Sequence, residues 1–295
     1  MLRSLFYAVV PLLVLLVAIA LACIVGYFVV QGFGEFAEFR KIISKTTQLF
    51  LILSIFPAMA YLKINKEELG FAARPVFLKQ LLQGFGLGFI TLTPVFIVLA
   101  LLKVNVIDDT QLWTVGAIAK TLVIGLLLAL LISLLEEPLF RGLLLVALNK
   151  KLPVAAAILI SSIYYAALHF LSSKTQIAAQ DLNLFSGFSL LGEAVANLLN
   201  PGILSAFFAL LMVGIFLGVL RTQVKSSLGL CIGCHTCWVW QITLSKKLFN
   251  TDLGSNYHYL VSSSDGVTGS LVTVWLMLAI AAYFIYRRLE GRLNN

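Results

Sequence analysis

Long apolar segments alternate with short polar ones along almost the whole chain. A helix that crosses the hydrocarbon core of a bilayer needs about 20 mostly apolar residues, and eight segments of the sequence approach or exceed that length. These segments lie at about 5–32, 46–62, 78–102, 114–136, 152–172, 201–223, 228–245 and 268–286. The pattern predicts an all-α, polytopic membrane protein, a single bundle of about eight transmembrane helices.

The longest connection lies between the fifth and sixth predicted spans and runs from Leu171 to Asn200. It is mildly amphipathic and contains Lys174, Asp181 and Glu193, so we expect an interfacial or partly re-entrant segment. The sequence shows no internal repeat and no low-complexity tract. We therefore expect residues 1–295 to form one transmembrane domain.

The composition excludes several soluble classes of protein. Hydrophobic residues make up 60% of the chain, charged residues only 12%, and the mean hydropathy is +1.00. Ordinary soluble domains carry about 25% charged residues, so a secreted disulfide scaffold, a disordered regulator and a cytosolic enzyme are excluded. The first apolar run, Leu5–Val30, is longer than the apolar region of a signal peptide, about 7–15 residues. We interpret it as an uncleaved anchor helix.

The net charge of +8 does not indicate nucleic-acid binding, because Lys and Arg occur as ones and twos between apolar runs. In that arrangement they act as topology signals. Placing alternate loops on alternate sides of the membrane puts 12 Lys and Arg on the side of both chain ends and 7 on the other. We therefore expect an integral protein of the cell inner (plasma) membrane, with cytoplasmic ends and no nucleic-acid partner.

Ionisable side chains within apolar spans are costly, and each one is a candidate functional residue. In the segment Glu136-Glu137-Pro138-Leu139-Phe140-Arg141, Glu137 and Arg141 are spaced to pair on one helix face. Pro138 cannot donate a backbone hydrogen bond, which loosens the helix at this point. Glu136 lies about 100° away around the helix, without that partner, and is free to act as a general base. The alternative is a helix end whose charges lie among lipid headgroups.

Two histidines lie in other apolar segments. If the chain reverses near Lys150 and Lys151, Glu136 and His169 reach similar depths in an antiparallel hairpin, and both could line one site. The alternative is a core histidine bonded to a backbone carbonyl. His235 follows Cys231 and Cys234 and precedes Cys237. This spacing admits c-type haem attachment or a zinc site, but we interpret the cysteines as small packing residues in a tight helix interface.

These residues resemble the motifs of the CPBP family of intramembrane proteases, which includes the type II CAAX prenyl endopeptidases and the Abi proteins of bacteriocin processing and immunity. Glu136-Glu137-Pro138-Leu139-Phe140-Arg141 matches the first motif, Glu-Glu-x-x-x-Arg. The second motif, Phe-x-x-x-His, corresponds to Tyr165–His169, with Tyr in place of Phe. The third, His-x-x-x-Asn, is partial, because Val239 follows His235 where the family has Asn. The resemblance covers a core of about 114–245.

The resemblance implies an intramembrane endopeptidase with its pocket between the fourth, fifth and seventh spans. Glu136, with His169, would activate the attacking water, Glu137 and Arg141 would support Glu136, and His235 would stabilise the oxyanion. The partners would be the lipid bilayer and a membrane-anchored or amphipathic peptide. No cofactor follows with certainty; a divalent metal such as zinc, held by Glu136, His169 and His235, stays open beside a metal-free mechanism.

Two other functions stay open at this stage. The missing Asn at Val239 allows a catalytically impaired family member that acts as a peptide-binding immunity or scaffold protein. Intramembrane Glu, Arg and His also build proton relays in transporters. However, the sequence has no inverted repeat and no paired broken helices, which transporters of this kind commonly show.

Overall fold

The structure is a computed structural model and describes residues 2–34, 37–110, 114–252, 254–262 and 266–293. Helices dominate these ranges, and two three-residue strands form the small sheet that the described residues contain. The helices are α1 Leu2–Phe33, α2 Phe39–Leu53, α3 Ile55–Leu62, α4 Lys66–Leu69, α5 Arg74–Leu101, α6 Val115–Glu137, α7 Leu145–Asn149, α8 Val154–Phe170, α9 Ser186–Leu198, α10 Leu204–Gln223, α11 Leu228–Leu248 and α12 Ser270–Leu293. A π-helical turn, Pro138–Leu144, joins α6 to α7, and 3-10 turns occupy Ala179–Asp181, Pro201–Ile203 and His258–Leu260. Strand β1 (Asn105–Ile107) pairs antiparallel with β2 (Phe249–Thr251).

The predicted all-α membrane architecture is confirmed. Each of the eight predicted spans falls on a helical segment, and six of these segments in the described chain are long and apolar enough to cross a membrane. The fifth predicted span is the shorter apolar helix α8. The seventh, α11, is not among the six and carries His, Thr, Gln, Ser and Lys side chains along its length. The second predicted span, 46–62, begins too late, because its helix already starts at Phe39.

Contacts between distant segments identify the two ends of the bundle. At one end, which we call the near side, Lys151 lies over the ring of Tyr7 and Lys150 donates to the carbonyl of Leu62. Arg221 donates to the carbonyl of Glu68 at the same end. At the other end, the far side, Arg40 at the start of α2 lies 3.4 Å from the carbonyl of Ser173. The β1–β2 ribbon also lies there, because it connects the end of α5 to the end of α11.

Helices α5 and α11 pack tightly against each other because both carry glycines at four-residue spacing. A Cβ on Gly84 would lie 2.1 Å from the carbonyl oxygen of Leu230, and a Cβ on Gly233 would lie 2.0 Å from that of Leu81. Small residues spaced in this way let membrane helices approach closely. We call Gly84, Gly88, Gly229 and Gly233 the glycine seam. It places His235, on α11, deep inside the bundle, where it is 3% exposed.

The cysteines pack as small side chains. Cys237 lies against Gly88, Cys231 Sγ is 3.6 Å from the carbonyl of Leu217, and all four cysteines are free and buried. Cys23 on α1 packs against Gly187 of α9. The interpretation of Cys231, Cys234 and Cys237 as packing residues is therefore confirmed by their contacts.

The connection Leu171–Asn200 contains the helix α9. This helix turns Leu190 and Ala194 inward, whereas Phe188 and Val195 stay exposed. It therefore lies as an amphipathic helix over α1, α2 and α8. This placement closes the far side of the bundle above the ends of α6 and α8.

Candidate active site

The break in the helix at Pro138 shapes the site. Pro138 has no backbone N–H, and the residues from Pro138 to Leu144 form a π-helical turn, a feature frequent at functional sites. Glu136 and Glu137 are the last two residues of α6, directly before this turn. Arg141 lies within it, and its Nη1 donates to Glu137 Oε1 at 2.9 Å. The pairing that the four-residue spacing predicts is therefore present, with both side chains almost completely buried.

Glu137 also holds His235. His235 Nδ1 lies 2.8 Å from Glu137 Oε1, the same oxygen that accepts from Arg141. A carboxylate can only accept, so His235 Nδ1 carries a proton and donates it to Glu137, and His235 Nε2 is left for other chemistry. A buried carboxylate that accepts from both a guanidinium and an imidazole keeps the two donor side chains in place. Glu137 thus acts as a fixed internal anchor.

Glu136 is in a different environment, although it is the adjacent residue. Its side chain is 16% exposed, against 0% for Glu137, and it lines a cavity of about 370 Å³. Glu136 Oε2 lies 4.0 Å from His235 Nε2, too far for a direct hydrogen bond. That oxygen has no hydrogen-bonding partner among the described residues. The two neighbouring carboxylates are therefore separated into a buried anchor and a group that faces the cavity.

His169 lines the same cavity as Glu136. It ends α8, and its Nδ1 lies 2.8 Å from the backbone carbonyl of Tyr165, one turn earlier. Because a carbonyl accepts, Nδ1 carries the proton, and in the neutral ring Nε2 carries the lone pair. The sequence offered a shared site with Glu136 and a bond to a backbone carbonyl as alternatives. The structure combines the two.

Tyr165 lies at the centre of these groups. Arg141 Cζ is 4.3 Å from the centre of its ring, a cation–π contact. The ring meets His169 edge-on at 4.6 Å and His235 at 6.2 Å between centroids, and Phe140 packs against it at 5.1 Å. An aromatic residue in this position therefore braces Arg141 and both histidines, and Tyr165 is 2% exposed.

The cavity agrees in part with the position that the resemblance implies. The fourth and fifth predicted spans, α6 and α8, line it together with α1, α2, the π-helical turn and α9, whereas residues of the seventh, α11, are not among those that line it. His235 instead reaches the two glutamates from behind. The sequence analysis did not identify α2 as part of the site. Its polar positions follow a helical spacing of three and four and lie at Arg40, Lys41, Ser44, Lys45, Thr47 and Gln48.

The arrangement does not fit the three-ligand metal site that the sequence left open. Within the described residues, no group of three His, Cys, Asp or Glu side chains is placed to hold a metal ion. The chemistry considered below is therefore built from the side chains themselves.

The side chains near Val239 do not replace the missing Asn. Trp238 Nε1 donates to Thr91 Oγ1 at 2.8 Å. Gln241 donates to the carbonyl of Gly88 and accepts from Thr93. Both polar groups are used in the contact between α11 and α5, and neither lines the cavity.

The residues of this site fall within a range that matches a known protein family. Residues 118–241 match the family described as type II CAAX prenyl endopeptidase, Rce1-like. The matched range contains Glu136, Glu137, Arg141, His169 and His235. Within this range, which is 124 of the 295 residues, the chain resembles the CPBP family. The matched range includes neither α1 nor α2. No curated protein and no solved structure matches the chain.

Proposed function

We propose that the protein is an intramembrane endopeptidase that hydrolyses a membrane-associated peptide with a water activated by Glu136. The observation that carries the proposal is the separation of the two adjacent glutamates. Among the described residues that line the cavity, Glu136 is the acidic one, and His235 Nε2 lies 4.0 Å from its Oε2. Glu137, by contrast, is buried and used by Arg141 and His235.

In the proposed reaction, Glu136 takes a proton from the water as its oxygen attacks the scissile carbonyl. His169 accepts a hydrogen bond from that water through Nε2. The carbonyl electrons move onto oxygen, where the imidazolium of His235, stabilised by the carboxylate of Glu137, donates from Nε2. Glu136 then passes its proton to the leaving amine as the C–N bond breaks. Each residue thus has one role, and the protons balance without a metal.

The cavity also indicates the kind of substrate. Leucine and isoleucine side chains line much of it, whereas its polar residues lie on α2, at the ends of α6 and α8 and in the connection directly after α8. A membrane-anchored or amphipathic peptide combines these two properties. The Lys and Arg distribution favours a plasma-membrane protein with cytoplasmic ends, so that the cavity, at the far side, opens to the opposite face.

A second candidate is a catalytically impaired peptide-binding protein, an immunity or scaffold protein. The observation that favours it is the absence of an amide near His235, since Val239 stands where the family has Asn and Gln241 is bonded elsewhere. Such a protein would bind a peptide in the cavity without cleaving it.

Peptide cleavage by the purified protein in lipid nanodiscs tests the two candidates. A quenched fluorescent library of amphipathic peptides serves as the substrate, with Glu136→Gln as the test variant and Glu67→Gln, exposed on α4, as the matched control. We expect Glu136→Gln to lower the cleavage rate by about 10²–10⁴-fold and Glu67→Gln to leave it unchanged. Peptide binding without cleavage by the wild type would favour the scaffold, and equal cleavage by Glu136→Gln would refute the proposed base.

A further inference from the structure

One wall of the cavity is positively charged. Arg40, Lys41 and Lys45 lie on the first two turns of α2 and all line the cavity. Glu136, which we assign to catalysis, is the acidic residue among the described lining groups. The fixed charge of the cavity is therefore divided, with a carboxylate at the end of α6 and a group of cations on α2.

The cations on this wall are only partly neutralised. Glu38 forms ion pairs with Arg40 at 2.5 Å and with Lys41 at 2.6 Å. The hydrogen bond from Lys41 lowers the pKa of Glu38 below its ordinary value, with a further contribution from Arg40, so Glu38 is ionised at neutral pH. One negative charge thus faces three positive ones.

Lys45 is the cation on this wall without a counter-ion in the described part of the chain. Its contact is a hydrogen bond to Gln48 Oε1 at 3.4 Å, and its side chain is exposed. It lies one helical turn along α2 from Lys41, and the preceding residue, Ser44, also lines the cavity. An ammonium group with this surrounding is available to an anionic group of a ligand.

The same wall becomes apolar along the helix. Leu51 and Ile52 line the cavity further along α2, about 9–11 Å from Lys45 at 1.5 Å per residue. Ile19, Leu139 and Leu190 add apolar surface from α1, the π-helical turn and α9. A ligand that fits this gradient has an apolar body and one anionic group at the end near Lys45.

We propose that the cationic wall binds a carboxylate of the peptide substrate and that Lys45 determines this preference. The inference rests on the proposed function, because the occupant is identified as the substrate by the presence of Glu136 and His169 in the same cavity. The carboxylate is either the C-terminus of the peptide or an acidic side chain, since both have the chemistry that an ammonium group recognises.

Binding to the Glu136→Gln protein tests this separately from turnover. The probes are three fluorescein-labelled versions of one amphipathic decapeptide: one with a free C-terminal carboxylate, one with a C-terminal amide, and an amide version with one internal Asp. The protein is held in nanodiscs of neutral phosphatidylcholine, and fluorescence anisotropy gives Kd. Lys45→Ala is the test variant, Lys45→Arg the conservative one, and Lys246→Ala, exposed on the far side outside the cavity, the matched control.

We expect at least one carboxylate peptide to bind about tenfold more tightly than the neutral amide. Lys45→Ala should remove that difference, Lys45→Arg should keep most of it, and Lys246→Ala should leave it unchanged. The peptide that binds more tightly than the amide shows whether the site recognises a C-terminal carboxylate or an acidic side chain. Increasing salt should reduce the difference as well, because exposed charges are screened.

Three results would overturn the inference. The first is that neither carboxylate peptide binds better than the amide. The second is that Lys45→Ala weakens all three peptides equally, which would indicate a structural role for Lys45. The third is that anionic phosphatidylglycerol in the nanodisc abolishes the difference, which would identify a lipid headgroup as the occupant. Binding as expected, with no cleavage by the wild type, would refute the proposed endopeptidase while the carboxylate site stands.

Discussion

His235 Nδ1 lies 2.8 Å from Glu137 Oε1, although the two residues are 98 positions apart in the sequence. Glu137 ends α6 and His235 lies near the beginning of α11. This contact keeps a proton on Nδ1 and turns Nε2 towards Glu136, at 4.0 Å. The buried ion pair of Glu137 and Arg141 therefore also holds the side chain of His235 in place.

Removal of the Glu137 carboxylate should affect both stability and turnover. Glu137→Ala leaves Arg141 buried without its partner, and breaking a buried pair in this way costs about 3–5 kcal/mol. Glu137→Gln keeps the volume but loses the charge that supports an imidazolium at His235, so we expect a lower kcat with a smaller change in KM. Thermal unfolding in detergent and peptide cleavage measure the two effects. Unfolding of Glu137→Ala at the wild-type temperature would contradict the assignment of Glu137 as an anchor.

The glycine seam should tolerate no added methyl group. Gly233→Ala places a Cβ 2.0 Å from the carbonyl oxygen of Leu81, so α5 and α11 must move apart. We expect a lower unfolding temperature and, because α11 carries His235, a loss of activity. Gly86→Ala is the matched control on α5, since no atom lies within 4 Å of its added Cβ. That control should be neutral or stabilising by up to about 1 kcal/mol, and equal losses in both variants would refute the role of the seam.

Removal of metal should leave cleavage intact. The described residues hold no group of three His, Cys, Asp or Glu placed for a metal ion, and the proposed proton transfers use Glu136, His169 and His235 directly. Cleavage rates before and after extended dialysis against a chelator should agree within error. A rate that falls on dialysis and returns with added zinc would require a rearranged site in which these side chains act as ligands.

Cysteine labelling should identify the face on which the cavity opens. All four native cysteines are buried, so an introduced cysteine is the reactive one. Lys174→Cys reports on the far side, beside the cavity residue Ser173, and Lys225→Cys reports on the near side, where Lys225 is 89% exposed. With cytoplasmic chain ends, an impermeant maleimide added to intact cells should label only Lys174→Cys. Labelling of only Lys225→Cys would reverse the proposed orientation.

The segment beside the cavity should detach from α9 at low pH. Three hydrogen-bonding neighbours lower the pKa of Glu193 below its ordinary value. The largest effect comes from Ser173, followed by Thr175 and Lys174. The pKa of Glu193 is lower in the folded protein than in the unfolded chain, so its hydrogen bonds stabilise the folded segment above the unfolded-state pKa. This stabilisation is lost as the pH falls through the folded-state pKa. Hydrogen exchange at the amide of Lys174, which donates to Glu193 at 3.1 Å, should therefore rise in that range after correction for the intrinsic rate. Glu193→Gln should exchange faster at neutral pH and lose the pH dependence, whereas Glu67→Gln should behave like the wild type.

Much of the architecture can be predicted because it depends on residues close together in the sequence. Twenty or so apolar residues in a row specify a spanning helix whatever surrounds it, and all eight predicted spans fall on helical segments. The pairing of Glu137 with Arg141 also follows from one helical turn. The position of α2 in the site does not follow, because the prediction counted apolar length and therefore left out the polar first turns from Phe39 onward.

The sequence by itself determined that this is a helical membrane protein and which ionisable residues lie inside its spans, since both depend on local composition and period. The tertiary structure alone decided which of two adjacent glutamates faces the cavity and that His235 joins them from a helix 98 residues away. It also decided that α2 supplies a cationic wall. The reason is that lateral packing, set here by the glycine seam between α5 and α11, fixes the depth and rotation of each helix against the others, and hydropathy carries no information on either.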